Sequence, residues 1–169
     1  AFFESPLVGI LFGDIYGGIF SCNDAMLVII GYYRDELEAG NIRWDKITPS
    51  EYLVLDEAAI KQAQASGYCT PYEKEYIRKN GQRIWVSLGF ILIGEKKEDT
   101  VVFIIDVSDR KRAEVELRFQ QELLTMTGRI GKIGGWEADV VKGVSSWTQE
   151  VAVIHELDPE VQPSVEFGL

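Results

Sequence analysis

Two short apolar blocks, residues 7–12 and 19–22, flank Asp14-Ile15-Tyr16-Gly17-Gly18 near the start of the chain. Glycines that can take positive φ between two such blocks predict a β-hairpin. Asn23 then offers an N-cap to a short helix over residues 24–30, and Gly31 suits its exit. That helix is apolar almost all round, so it is expected to be buried. Residues 33–47 are short and mixed, and suit two small helices around Arg34-Asp35-Glu36-Leu37 and Ile42-Arg43-Trp44-Asp45.

A longer helix is predicted from Thr48-Pro49-Ser50-Glu51, with threonine as cap, proline at the first helical position and glutamate closing a capping box. Tyr52, Leu55, Ala59, Ile60 and Ala63 recur at helical spacing opposite Glu57, Lys61, Gln62 and Gln64, and Gly67 ends the pattern. The period then changes to two. Residues 72–79 and 82–94 alternate on either side of Asn80-Gly81, a strong two-residue hairpin signal. After the charged turn 95–99, the β-branched run 100–106 suits a central strand. Beyond Ser108 the chain is charged and helical, with Ala113, Leu117 and Leu124 on one stripe and Gln120 interrupting it, the spacing of a helix that pairs with another. The predicted order is two strands, several helices, three strands and an exit helix: an α+β domain with a five-stranded antiparallel sheet and helices on one face.

A fixed offset of 125 residues relates the two ends of the chain: Asp14 matches Asp139, Gly18 matches Gly143, Gly9 matches Gly134, and Leu11 matches Trp136. Ile15 and Val140, Ile19 and Val144, Ser21 and Ser146, and the caps Asn23 and Thr148 follow at the same offset. The expected organisation is a domain over residues 1–107, a coiled-coil-like helical linker over 108–128, and the N-terminal part of a second, truncated copy over 129–169.

Composition narrows the function. Seventeen basic against twenty-seven acidic residues give a net charge of −10, which argues against nucleic acid and anionic lipid as partners. The longest apolar stretches are too short to span a bilayer. Cys22 and Cys69 lack metal-ligand or disulfide-framework spacing, so they read as small buried residues in a reducing, cytoplasmic setting, with no metal site expected. His155 is the only histidine, and no Ser/His or Cys/His grouping supports nucleophilic catalysis. Glu73 and Glu75 share a strand face and read as solvated or ion-paired carboxylates. Gly128, Gly131 and Gly134 follow a helix, not a strand, and read as a helix stop and not a phosphate loop. No enzyme is expected.

Four stretches resemble the PAS domain family: Asp14 to Gly18 leading to Asn23-Asp24-Ala25; Gly31-Tyr32; the run from Tyr72 through Asn80-Gly81; and Asp106-Val107-Ser108-Asp109-Arg110-Lys111, which is similar to the exit motif of PAS domains in bacterial sensor kinases. Gly134-Gly135-Trp136-Glu137 through Trp147, with Leu157-Asp158-Pro159, resembles the start of another such domain. The resemblance implies a PAS fold whose cup leaves room for a small-molecule ligand, followed by a signalling helix. It places Leu27, Ile30, Trp44 and Tyr52 nearest the internal cavity, with simple core filling as the alternative, and makes Asp106 and Ser108 candidates for signal transmission, or for a simple helix cap. Histidine-ligated haem is not expected, since residues 48–67 contain no histidine, nor covalent flavin, since residues 41–44 contain no thiol. The cofactor is left open. The implied role is a non-catalytic sensory module of a sensor histidine kinase in a two-component phosphorelay. It would form a homodimer through residues 108–128, beside neighbouring PAS and kinase domains of its parent. The alternative is a constitutive interaction or spacer domain in another signalling protein such as a diguanylate cyclase.

Overall fold

In the computed structural model, residues 3–139, 141–142 and 144–156 are described. The chain divides into two compact units, Ala1–Arg112 and Ala113–Leu169. In the first, β1 (Gly9–Asp14) and β2 (Ile19–Cys22) form the expected hairpin. They are followed by α1 (Asp24–Ile30), α2 (Arg34–Glu38), α3 (Trp44–Ile47) and α4 (Leu53–Ser66), then β3 (Tyr72–Ile77), β4 (Arg83–Ile93) and β5 (Asp99–Asp106). The five strands form one antiparallel sheet in the order β2-β1-β5-β4-β3. Because strand side chains alternate between faces, Ile84, Val86, Leu88 and Phe90 of β4 and Val102 and Ile104 of β5 all join the core that the helices cover.

Asn23 caps α1 as expected, its Oδ1 accepting the Met26 N–H at 3.0 Å, and Gly31 leaves it at φ +73°. Two local expectations change. Thr48 does not cap the long helix: its hydroxyl donates to the Trp44 carbonyl at 2.8 Å and accepts from Lys74. Ser50–Tyr52 therefore forms a 3₁₀ turn, and the α-helix starts at Leu53. Nor is Asn80-Gly81 a two-residue hairpin. Only Gly81 of the pair has positive φ, whereas the tight turn needs it at both positions, so the strands join through residues 78–82.

In the second unit β6 (Trp136–Asp139) pairs antiparallel with β7 (Val144–Trp147), and α6 (Gln149–Ile154) follows. The 125-residue offset reappears in the pairing: Leu11↔Cys22 and Phe12↔Ser21 become Trp136↔Trp147 and Glu137↔Ser146. Asn23 Oδ1 accepts the Ile10 N–H at 2.9 Å, and Thr148 Oγ1 accepts the Gly135 N–H at 3.2 Å. A Cβ on Gly9 would lie 3.2 Å from Met26 Cα, and one on Gly134 would lie 3.0 Å from Val151 Cα. Val140, Gly143 and residues 157–169, including Leu157-Asp158-Pro159, lie outside the described residues.

Helix α5 (Ser108–Gly131) runs through Gly128, three residues beyond the expected stop. None of its side chains is buried, and Phe119, Leu123, Met126 and Ile130 stand exposed at successive spacings of four, three and four. Among the described residues no helix is long and apolar enough to cross a membrane.

Candidate functional site

The alternation of β3 puts Tyr72, Lys74 and Tyr76 on the inner face and Glu73 and Glu75 on the outer face. A lysine between two tyrosines is thereby carried into the core, where it is 2% exposed. A buried cation needs a partner. Helix α4 supplies one, since its buried stripe is Asp56, Ala59 and Ala63. Lys74 Nζ lies 2.6 Å from both Asp56 oxygens and donates to Thr48 Oγ1 at 2.9 Å. The Tyr72 hydroxyl donates to Asp56 Oδ1 at 2.5 Å. The ammonium also stands 4.9 Å from the Tyr76 ring centre and 6.0 Å from that of Trp44, which suits a cation on aromatic faces.

Burial holds the Lys74 pKa below the ordinary lysine value, while the Asp56 charge pulls it back up. Both tyrosines are held above the ordinary phenol value, by burial first and by the Asp56 charge second, so their hydroxyls keep their protons. Burial likewise raises the Cys69 thiol and pushes that of Cys22 up to about 11, which leaves neither poised as a thiolate.

This polar centre borders a cavity of about 40 Å³. Its apolar wall comes from Leu11, Ile15, Ile60, Leu88, Phe90 and Val102, and its polar wall from Asp56, Lys74, Tyr72, Tyr76 and Thr100. Among the described residues the Tyr76 and Thr100 hydroxyls have no hydrogen-bond partner, although these residues are 2% and 6% exposed. The one sealed, unpartnered side-chain polar atom among the described residues is Arg78 Nε, so the two hydroxyls open onto the space they line.

Trp44 also lines the cavity, its Nε1–H donating to the Asp14 carbonyl at 2.8 Å. Leu27 and Ile30 are buried in the core but do not line the cavity, because α1 packs on β1. Tyr52, carried by the 3₁₀ turn, stands edge-on to Trp85 with ring centres 6.0 Å apart and likewise does not line the cavity. Sequence reasoning missed Asp56, Lys74, Tyr72 and Tyr76. The available signal was the period-two placing of Lys74 between two tyrosines.

Asp106 and Ser108 form the junction with α5. Asp106 Oδ1 accepts the Ser108 N–H at 2.9 Å, and its Oδ2 lies 3.7 Å from an Arg78 nitrogen. Ser108 Oγ accepts the Trp85 N–H at 3.0 Å, and the Val107 N–H donates to the Trp85 carbonyl at 2.9 Å. On the outer face, Lys111 Nζ sits 5.0 Å from the Trp85 ring centre and 2.7 Å from Glu73 Oε2, and Arg110 binds the same carboxylate. These cations hold the Glu73 carboxyl below the usual carboxylate range. Glu75 pairs with Arg83 at 3.1 Å, and Arg83 pairs with Glu51 at 2.6 Å. Neighbouring residues of one strand, Glu73 and Lys74, thus face the exit helix and the buried centre respectively.

The sequence profile of the PAS domain family matches residues 7–109. The chain is 35% identical over 113 residues to "Hybrid signal transduction protein dokA" of Dictyostelium discoideum, an alignment covering 67% of this chain and 7% of that protein. It is 25% identical over 166 residues to "Probable diguanylate cyclase DgcE" of Escherichia coli, covering 95% of this chain and 15% of that protein. The chain therefore spans only a small part of these relatives. The crystal structure of a sensory box histidine kinase/response regulator from Burkholderia thailandensis superposes with a TM-score of 0.55 at 22% identity, covering 69% of this chain and 89% of that one. With the five-stranded sheet, its helical cover and the exit helix in place, the chain belongs to the PAS domain family.

Proposed function

We propose that this chain is a sensory relay in which the Lys74–Asp56 centre and its cavity are coupled through β3 to the exit helix. The observation that carries the reading is the adjacency of Lys74, bound inside to Asp56, and Glu73, bound outside to Arg110 and Lys111. A strand is stiff over two residues, so a shift of Lys74 is felt at Glu73. Asp106 and Ser108 fix the hinge about which α5 would respond. The exposed stripe Phe119, Leu123, Met126 and Ile130 supports pairing of α5 with a second copy, as coiled-coil spacing does. The parent is proposed to be a cytoplasmic sensor histidine kinase of a two-component phosphorelay, with catalysis in its other domains. Residues 129–169 are read as the opening of a second PAS unit that follows the first in the sequence.

A second reading, a constitutive interaction or spacer domain in a parent such as a diguanylate cyclase, is favoured by the small volume of the cavity, about 40 Å³. Filling the cavity with Ile60→Phe separates the two. The relay predicts altered amide exchange in the first turn of α5 and altered dimerisation by light scattering. The spacer predicts no change in either.

A further inference from the structure

The walls of the inner-face cavity carry information about what could occupy it, if the sensory reading holds. All three protons of the Lys74 ammonium are directed at partners, the two Asp56 oxygens and Thr48 Oγ1. No Lys74 proton is left over for an anion, and an incoming cation would have to compete with Lys74 for Asp56. Either charge would enter a space whose wall is mostly apolar, at a desolvation cost. The Tyr76 hydroxyl is different. It is buried, open to the cavity, without a partner among the described residues, and kept protonated by burial and by the nearby Asp56 charge. A buried donor in that state lacks one hydrogen bond. The volume, about 40 Å³, corresponds to roughly three or four water-sized spheres.

We propose that the cavity takes a short, uncharged molecule with a single oxygen acceptor, a small alcohol or ketone, whose oxygen receives the Tyr76 hydroxyl proton while its few carbons lie against the apolar wall. The paired Lys74 and Asp56 act as a charge filter: they satisfy each other and leave the Tyr76 and Thr100 hydroxyls to read the ligand. No bond is made or broken, so binding is reversible and low in affinity per molecule, as befits so few atoms.

The test titrates the full 169-residue chain, ¹⁵N-labelled, with 2-propanol and 2-butanone, and with acetate and isopropylammonium as charged counterparts of similar size. The expected result is saturable shifts of β3 and β4 amides with the neutral probes and none with the charged ones. Tyr76→Phe should weaken the neutral probes by about 2- to 10-fold, the net value of one hydrogen bond. Ile60→Phe, which fills the cavity and keeps tyrosine at 76, should abolish binding even if Tyr76→Phe folds poorly. Equal binding of charged and neutral probes, full affinity in Tyr76→Phe, or no saturable binding at all would overturn the proposal. The relay reading is judged separately by exchange in α5: probes that bind without any change there sink the relay and spare the ligand class, and an α5 that responds to Ile60→Phe while no probe binds does the reverse.

Discussion

Lys74 Nζ lies 2.6 Å from each carboxylate oxygen of Asp56 in the core of the domain, so strand β3 and helix α4 are joined by a buried ion pair. Removing Lys74 leaves the buried Asp56 with the Tyr72 hydroxyl and no cation. Lys74→Met is therefore expected to destabilise the domain by about 3–5 kcal/mol, and Lys74→Met with Asp56→Leu to recover most of that loss. Denaturant midpoints of the two variants measure this; a single variant as stable as the double would show that the pair is not coupled.

Acid should loosen the junction between the sheet and the exit helix. Arg110 and Lys111 lower the folded-state pKa of Glu73 below its unfolded value. The contribution of this carboxylate is therefore fully present above the ordinary glutamate value of about 4.3 and is lost as the pH falls through the lowered folded value. Carbon-detected titration should place Glu73 below the ordinary range, and Arg110→Gln with Lys111→Gln should return it upward. A titration unmoved by that double change would contradict the assignment.

Ser108 ties the exit helix to the sheet through the Trp85 amide. Ser108→Ala leaves that half-buried N–H without its partner and is expected to cost about 1–3 kcal/mol, with Ser108→Thr retaining most of the stability. Thermal denaturation of the two variants gives the comparison. Equal losses would point to the local backbone and not to the hydroxyl.

The repeated architecture has its own signature at Gly134. A Cβ there would meet Val151 N at 2.8 Å and Cα at 3.0 Å, both backbone atoms that cannot swing aside. Gly134→Ala is expected to strip amide protection from β6 and β7 while the amides of β1 to β5 keep theirs. Unchanged exchange across Trp136–Trp147 would show that the hairpin does not depend on this approach.

Element order was legible because the period changes are sharp: helical spacing through Ala59 and Ala63, alternation from Tyr72 onward, and Asn23 and Gly31 at the ends of α1. The buried centre was harder to see. Asp56 sits on the apolar stripe of α4, where a carboxylate looks like an interruption, and Thr48 resembles a helix cap until Lys74 draws its hydroxyl inward. Tyr52 keeps helical phase with Leu55 in sequence, yet a 3₁₀ turn rotates it onto Trp85. Pairing across the sheet decides these cases, and local spacing carries no record of it. Asp106 and Ser108 could be singled out because the turn from strand to helix is local, whereas Glu73 gains its role only from the distant Arg110 and Lys111.

The relay through β3 is tested most directly by amide exchange at Trp85, Val107 and Lys111, whose N–H groups donate to Ser108 Oγ, the Trp85 carbonyl and the Val107 carbonyl. The comparison runs over the native chain, the Lys74→Met with Asp56→Leu pair, Glu73→Gln, and all three changes together. If β3 carries the signal, emptying the buried centre of charge changes exchange at these amides several-fold when Glu73 is present and leaves it unchanged once Glu73→Gln has cut the outer link. Additive effects, with the buried pair acting on the junction equally in both backgrounds, would contradict the account.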